Sequence, residues 1–166
     1  MSWQLFHTEC SALTGMTHVS REQFSQTIAT AYHGSVMRHL DSVTGGGVVI
    51  NTAPKLPMLT MGLISIANMN LASHSQSINW VQQVGKFIKL YWVGAMITGP
   101  TGMVVVSSTG VWTAPSVVPN TDFNILLWTF EAVALIHLMT LVGTYTSTVV
   151  PGLTTPWSGA TLLTIP

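Results

Sequence analysis

The longest apolar run in the chain spans residues 123–150, "FNILLWTFEAVALIHLMTLVGTYTSTVV", and such a run must be buried by something. The part from Ile125 to Val142 reaches the length of about 18 residues at which a membrane span becomes possible. Glu131 and His137 lie near its middle, and a mid-helix carboxylate costs roughly 2.5 to 3.5 kcal/mol on membrane-insertion scales unless it faces a partner. The run therefore predicts a helix that crosses a membrane, lies in a protein core, or forms a surface covered by another subunit.

Charge is scarce and unevenly placed. Charged residues make up 6% of the 166 residues, and the formal net charge is zero, whereas typical domains are about one-quarter charged. Five Lys and Arg residues, all before residue 90, are too few for the basic patch that a nucleic-acid partner requires. A surface with so little charge has little to oppose self-association. We therefore expect the chain to function in an assembly that includes copies of itself.

The single cysteine and the N-terminal sequence argue against cysteine-based frameworks and against a cleaved signal peptide. Cys10 is the single cysteine, which excludes an internal disulfide framework and a multi-cysteine metal site. The opening "MSWQLFHTEC" lacks a basic segment followed by an apolar one, so a cleaved signal peptide is not expected.

Helix signals dominate the first part of the chain. Ser20 and Gln23 have the spacing of a capping box, so a helix is predicted to start there and to end at the "TGGG" of residues 44–47. A second helix is predicted over residues 57–73, with Pro57 in its first turn. The apolar stripe of residues 78–91 is typical of a third, amphipathic helix, and the apolar run supplies the fourth, with Gly143 predicted as its stop.

The later part of the chain carries strand signals. The "TGPTG" of residues 98–102 is predicted to break the third helix, and the following segment reads as short strands around 103–113, turning near Ser108 to Gly110. Residues 144–150 suit a strand, and 151–166, with Pro151 and Pro156, suit an extended arm or an edge strand. The predicted fold is an α+β single domain over residues 1–166, mainly helical, with about four helices.

No constellation of residues predicts catalysis. Glu131 and His137 are six residues apart, which places them about 240 degrees around a helix and prevents them from sharing one site; each is expected to meet a polar partner in a helix interface. His7 and Glu9 resemble the start of a deaminase signature, but the Pro-Cys-x-x-Cys that completes it is missing from the sequence. His33 and His39 lack the spacing of helical metal ligands. We expect no enzymatic activity, no cofactor and no bound metal.

Aromatic residues are the main candidates for an interface. The string "KLYWVGA" of residues 89–95 fits an aromatic anchor between subunits, since Tyr and Trp are enriched in interface cores, and it fits the chain's own core equally well. The interface candidates are Tyr91, Trp92, Trp112, Trp128, Glu131, His137 and Trp157.

An amphipathic N-terminal helix with a Gly-rich turn is followed by "IKLYWVGAM", and then by "FEAVALIHLMTLVGTYTSTVV" ending near "PW". This layout resembles the small structural proteins of tailed bacteriophages. The resemblance implies a virion component of the capsid, neck or tail, present in several copies, whose partners are copies of itself and other virion structural proteins. Two alternatives remain: a small integral membrane protein with spans at 58–73, 87–107 and 124–142, and a scaffold subunit of a larger complex.

Overall fold

The computed structural model describes residues 3–14, 19–44, 49–50, 55–67, 74–115 and 123–159. Within these ranges the chain has an α+β fold of five helices and five strands. The helices are α1 (Gln4–Thr14), α2 (Arg21–Thr44), α3 (Lys55–Ile66), α4 (His74–Trp92) and α5 (Phe123–Met139). The strands are β1 (Val49–Ile50), β2 (Met96–Gly99), β3 (Gly102–Ser108), β4 (Val142–Ser147) and β5 (Thr154–Ser158).

The helix starts follow from local chemistry. The Ser20 hydroxyl accepts a hydrogen bond from the Gln23 amide at 3.0 Å, which confirms the predicted cap of α2. Helix α3 has Pro57 in its first turn and ends at Ile66, short of the predicted limit at residue 73; residues 68–73 lie outside the described part of the chain. The predicted α+β, mainly helical fold is confirmed, and α1 is the additional helix that makes five among the described residues where about four were predicted.

The strands form one antiparallel sheet in the order β1-β2-β3-β4-β5. Gly99 pairs with Gly102, so Pro100 and Thr101 make a two-residue turn between β2 and β3. The predicted short strands around 103–113 are confirmed by β3 (Gly102–Ser108), but residues 109–113, at and after the predicted turn at Ser108 to Gly110, form no second strand. The "TGPTG" that was expected only to break a helix is itself the hairpin turn, because Pro presets the backbone angle of a turn.

Gly143 does not stop α5, which already ends at Met139. It lies in β4 opposite Val106, where an added Cβ would come within 2.4 Å of the Val105 carbonyl oxygen. Close strand packing therefore requires glycine at this position. Strand β4 covers Val142–Ser147, so the predicted strand at 144–150 is confirmed in kind but starts later and ends later than the observed one.

The segment after residue 150 contains an edge strand, β5, which is one of the two structures predicted for residues 151–166. Strand β5 pairs with β4 along its whole length, from Val142 with Ser158 to Thr146 with Thr154. The Gly159 amide then donates to the Leu141 carbonyl at 2.8 Å, which ties the end of this strand to the end of α5. Residues 160–166 of the predicted arm lie outside the described residues.

One apolar core runs through the helices and into the sheet. Helices α1 to α4 pack against one another in chain order, and α1 also contacts α5. Strands β2 and β3 contribute Ile97, Val104 and Val106. The largest side chains of this core are fully buried aromatic ones: Phe6, Tyr32, Trp80, Tyr91, Trp92 and Phe130.

Of the three predicted membrane spans, 124–142 coincides largely with helix α5 (Phe123–Met139), whereas 58–73 and 87–107 are not reproduced as single helices. Residues 87–107 comprise the end of α4, a turn and two strands, because α4 ends at Trp92 and Gly94 then adopts a positive φ of 62°. The helix begun at Lys55 ends at Ile66, within the predicted span 58–73. Among the described residues, no helix combines the length and the apolar character that crossing a membrane requires.

Candidate assembly surface

Helix α5 is apolar on both its inner and its outer face. The inner face places Leu126, Leu127, Phe130, Ala134 and Leu138 in the core. The outer face carries Trp128 and Ile136, each 56% exposed, together with Ala132 and Met139, which are also exposed. A helix that is hydrophobic all round is normally covered on every side, so the outer face of α5 is the leading candidate for a functional surface.

A groove runs along this outer face. It has a volume of about 650 Å³ and lies between α5 and the segment of residues 113–115. Its lining consists of Thr113, Ala114, Pro115, Ile125, Trp128, Thr129, Ala132, Val133 and Ile136. None of these side chains is charged. A concave surface of this kind gains free energy when apolar groups cover it, at roughly 25 cal/mol per Å².

Glu131 belongs to the inner side of the helix and does not point into the groove. It is 4% exposed, and its Oε1 accepts a hydrogen bond from the Trp3 amide at 2.7 Å. Its other carboxylate oxygen contacts Nε2 of His7. The single carboxylate of α5 thus fastens α1 to α5, in agreement with the expected polar partner in a helix interface.

Trp128 packs against His7, the side chain that contacts Glu131, and also reaches the surface. Its ring centroid lies 4.0 Å from that of His7, so part of the indole covers the imidazole while more than half of the side chain remains exposed. Trp128 therefore contributes both to the contact between α5 and α1 and to the exposed outer face of α5.

His137 is buried at the other end of α5. Its Nε2 lies 2.6 Å from the Thr109 carbonyl oxygen, and because a carbonyl only accepts, this nitrogen carries the proton. Burial, and to a lesser extent the nearby Lys89 charge, lower the pKa of His137 to about 4, although the hydrogen bond to Thr109 opposes this shift. The neutral imidazole thus joins α5 to the segment after β3, and it is not offered to a neighbour.

Tyr91 and Trp92 are fully buried in the chain's own core. The Trp92 indole N–H donates to the Tyr32 hydroxyl at 2.9 Å, and the Tyr91 hydroxyl lies 2.6 Å from Nδ1 of His33. Of the two interpretations of "KLYWVGA", the structure supports the one in which it packs inside the chain.

The two remaining candidates are half-buried. The Trp112 indole N–H donates to the Val81 carbonyl at 2.8 Å, and its ring packs beside His137 with 5.7 Å between centroids. Trp157 lies on β5 opposite Gly143 and packs against the core. Of the predicted interface residues, Trp128 is the one that presents most of its side chain to solvent.

The described residues contain no group of three or more His, Cys, Asp or Glu side chains placed to hold a metal ion. Cys10 is buried and unpaired, and burial raises the pKa of its thiol to about 12. A thiol with so high a pKa is a poor nucleophile at neutral pH.

Two features of the site were not predicted from the sequence. The sequence sets His7 near Glu9, whereas in the fold it pairs with Glu131 across most of the chain. The groove wall at residues 113–115 had no sequence signal, because the segment before it is bonded to distant residues, Thr109 to His137 and Trp112 to Val81. The apolar character of the whole α5 circumference was visible in the sequence and could have indicated its exposed outer face.

Comparison with known proteins adds no relative to this picture. No protein-family model, curated protein or solved structure matches the chain.

Proposed function

We propose that the chain is a non-enzymatic structural subunit that acts by packing against copies of itself and other structural proteins in a virion. The observation that carries this proposal is the outer face of α5, which is exposed from Trp128 to Met139 and bears no charged side chain. Monomeric proteins rarely expose large contiguous apolar patches, and larger ones mark interaction sites.

The composition of the chain supports the same proposal. With zero formal net charge and 6% charged residues, the surface offers little electrostatic repulsion between copies. The resemblance of the sequence layout to small tailed-phage structural proteins supplies the virion context, as part of a capsid, neck or tail.

Negative-stain electron microscopy of the purified full-length chain tests the proposal. Rings, shells, tubes or another regular multimer are expected, because apolar faces that lack charge associate when they are free. Dispersed particles of monomer size at high protein concentration would contradict it.

The virion assignment has its own test. Mass spectrometry of purified particles of a phage that carries this gene is expected to detect the chain in several copies per particle. Its absence from intact particles would exclude the virion role and leave a self-assembling subunit of another complex.

A further inference from the structure

We propose that the outer face of α5 pairs with the same face of a second copy, in an antiparallel arrangement around a two-fold axis at Ala132. This inference rests on the proposed structural function and specifies the contact through which two copies meet. The occupant of the groove is thus a second copy of this chain.

The order of side chains on α5 carries the inference. Ile125, Trp128, Ala132, Ile136 and Met139 stand at positions −7, −4, 0, +4 and +7 relative to Ala132, and residues at such spacings share one helix face. The large side chains are therefore arranged symmetrically around a small one.

A two-fold contact requires this symmetry. In an isologous interface each residue i contacts residue j of the partner, and j contacts i in return. When α5 is reversed about Ala132, Trp128 meets the partner's Ile136, and Ile125 meets the partner's Met139. Each pairing joins two apolar side chains, and the contacting stripe is about 21 Å long.

The size of the central residue suits a close helix crossing. Packed helices lie about 8 to 10 Å apart, depending on the side chains at the contact, and Ala132 allows the short end of this range. The flanking groove, of about 650 Å³, can then receive the larger side chains of the partner.

Charge favours a second copy over a lipid surface. Identical groups approach each other at a two-fold axis, so charges near the axis would repel, and the lining of this groove has none. Helices that bind membrane surfaces usually carry Lys or Arg on their polar face, whereas the sequence has no Lys or Arg after Lys89.

Cross-linking tests the position of the axis. The Ala132→Cys variant of the full-length chain places a thiol on the axis, whereas Gln82→Cys places one at an exposed position of α4. Cys10 can remain, because it is buried and its thiol is poorly reactive. Both variants are treated with a short bis-maleimide and compared on a denaturing gel.

We expect Ala132→Cys to give mostly cross-linked dimer and Gln82→Cys to give at least several-fold less. If light scattering shows that the chain forms multimers but the two variants cross-link equally, the α5 pairing is wrong and the structural function survives. If the chain is monomeric throughout, both proposals fail. Binding of Ala132→Cys to phosphatidylcholine vesicles without cross-linking would identify lipid as the occupant and overturn the pairing.

A second variant tests whether the cross-linked dimer reflects the paired α5 faces or only the random collision of two chains. Ala132→Arg places two positive charges at the axis and is expected to shift the multimer to smaller species, while circular dichroism shows an unchanged helix content. Unchanged multimer size in a folded Ala132→Arg protein would overturn the pairing.

Discussion

Glu131 illustrates how an ionisable residue is accommodated in an otherwise apolar helix. Its carboxylate is buried, accepts from the Trp3 amide at 2.7 Å and contacts His7. A buried carboxylate that loses a hydrogen-bond donor retains its desolvation cost. The contact therefore fixes the position of α1 against α5.

The first prediction concerns the His7 side chain. His7→Ala is expected to lower the free energy of unfolding by about 1 to 3 kcal/mol, since it leaves one carboxylate oxygen of Glu131 without this partner. Urea unfolding measures the change. His7→Gln retains a side-chain N–H donor and should lose less, so equal stability of His7→Ala and wild type would contradict the assigned contact.

The second prediction concerns pH and His137. Its pKa falls from 6.5 to about 4 in the folded protein, so between these values the unfolded chain binds more protons than the folded one. Stability contributed by the neutral imidazole is therefore complete above about pH 6.5 and is lost as the pH falls towards 4. The full effect is about 3 kcal/mol at 1.36 kcal/mol per pKa unit.

Urea unfolding at several pH values measures this dependence. The matched control is His137→Gln, which can still donate to Thr109 but does not titrate. Wild type should lose more stability than the control on acidification. Parallel pH profiles would show that His137 does not titrate as its burial requires.

The partners of Glu131 and His137 could not be predicted from the sequence. The six-residue spacing correctly separated Glu131 from His137 and indicated that each needs a polar partner. It could not select His7 or the Thr109 carbonyl, because both contacts depend on how distant segments pack.

At the scale of elements, the contact between α3 and α4 provides a sharp test of packing. Gly62 of α3 faces Phe87 of α4, and an added Cβ would lie 2.2 Å from the ring. Gly62→Ala is therefore expected to destabilise the protein by about 1 to 3 kcal/mol through overpacking, despite the better helix propensity of alanine.

Gly34 in α2 is the matched control. The nearest atoms to a Cβ added there are 3.8 Å away, which is ordinary contact, so Gly34→Ala should raise stability by up to about 1 kcal/mol. Thermal unfolding of the two variants measures the contrast. A stabilising Gly62→Ala would show that α3 and α4 are not packed as closely as described.

The elements that could be predicted were the helices whose own sequence carries a cap or an apolar pattern. The cap at Ser20, the stripe of α4 and the apolar run of α5 each specified a helix. Helix α1 was missed although Trp3, Phe6, Cys10 and Leu13 recur at helical spacing and are all buried. The turn of the β2–β3 hairpin was placed too late, because Ser108 to Gly110 also have turn composition and strand register is a tertiary property.

At the scale of the whole molecule, the outer face of α5 is an exposed surface that lacks charge. The inner side of α5 is covered by the core, whereas its outer side remains largely exposed at Trp128, Ala132, Ile136 and Met139. This exposed face carries no charged side chain, and the few cations of the chain all lie before residue 90. The α+β class was predictable from this sequence, whereas the groove beside α5 required the fold.

Light scattering coupled to size-exclusion chromatography tests the central claim, that this chain assembles through apolar faces. We predict a molar mass several times 17.8 kDa that is the same at about 0.1 M and about 1 M salt, although the screening length falls from about 10 to about 3 Å. A mass of one chain at high concentration, or a multimer that dissociates in high salt, would contradict the account.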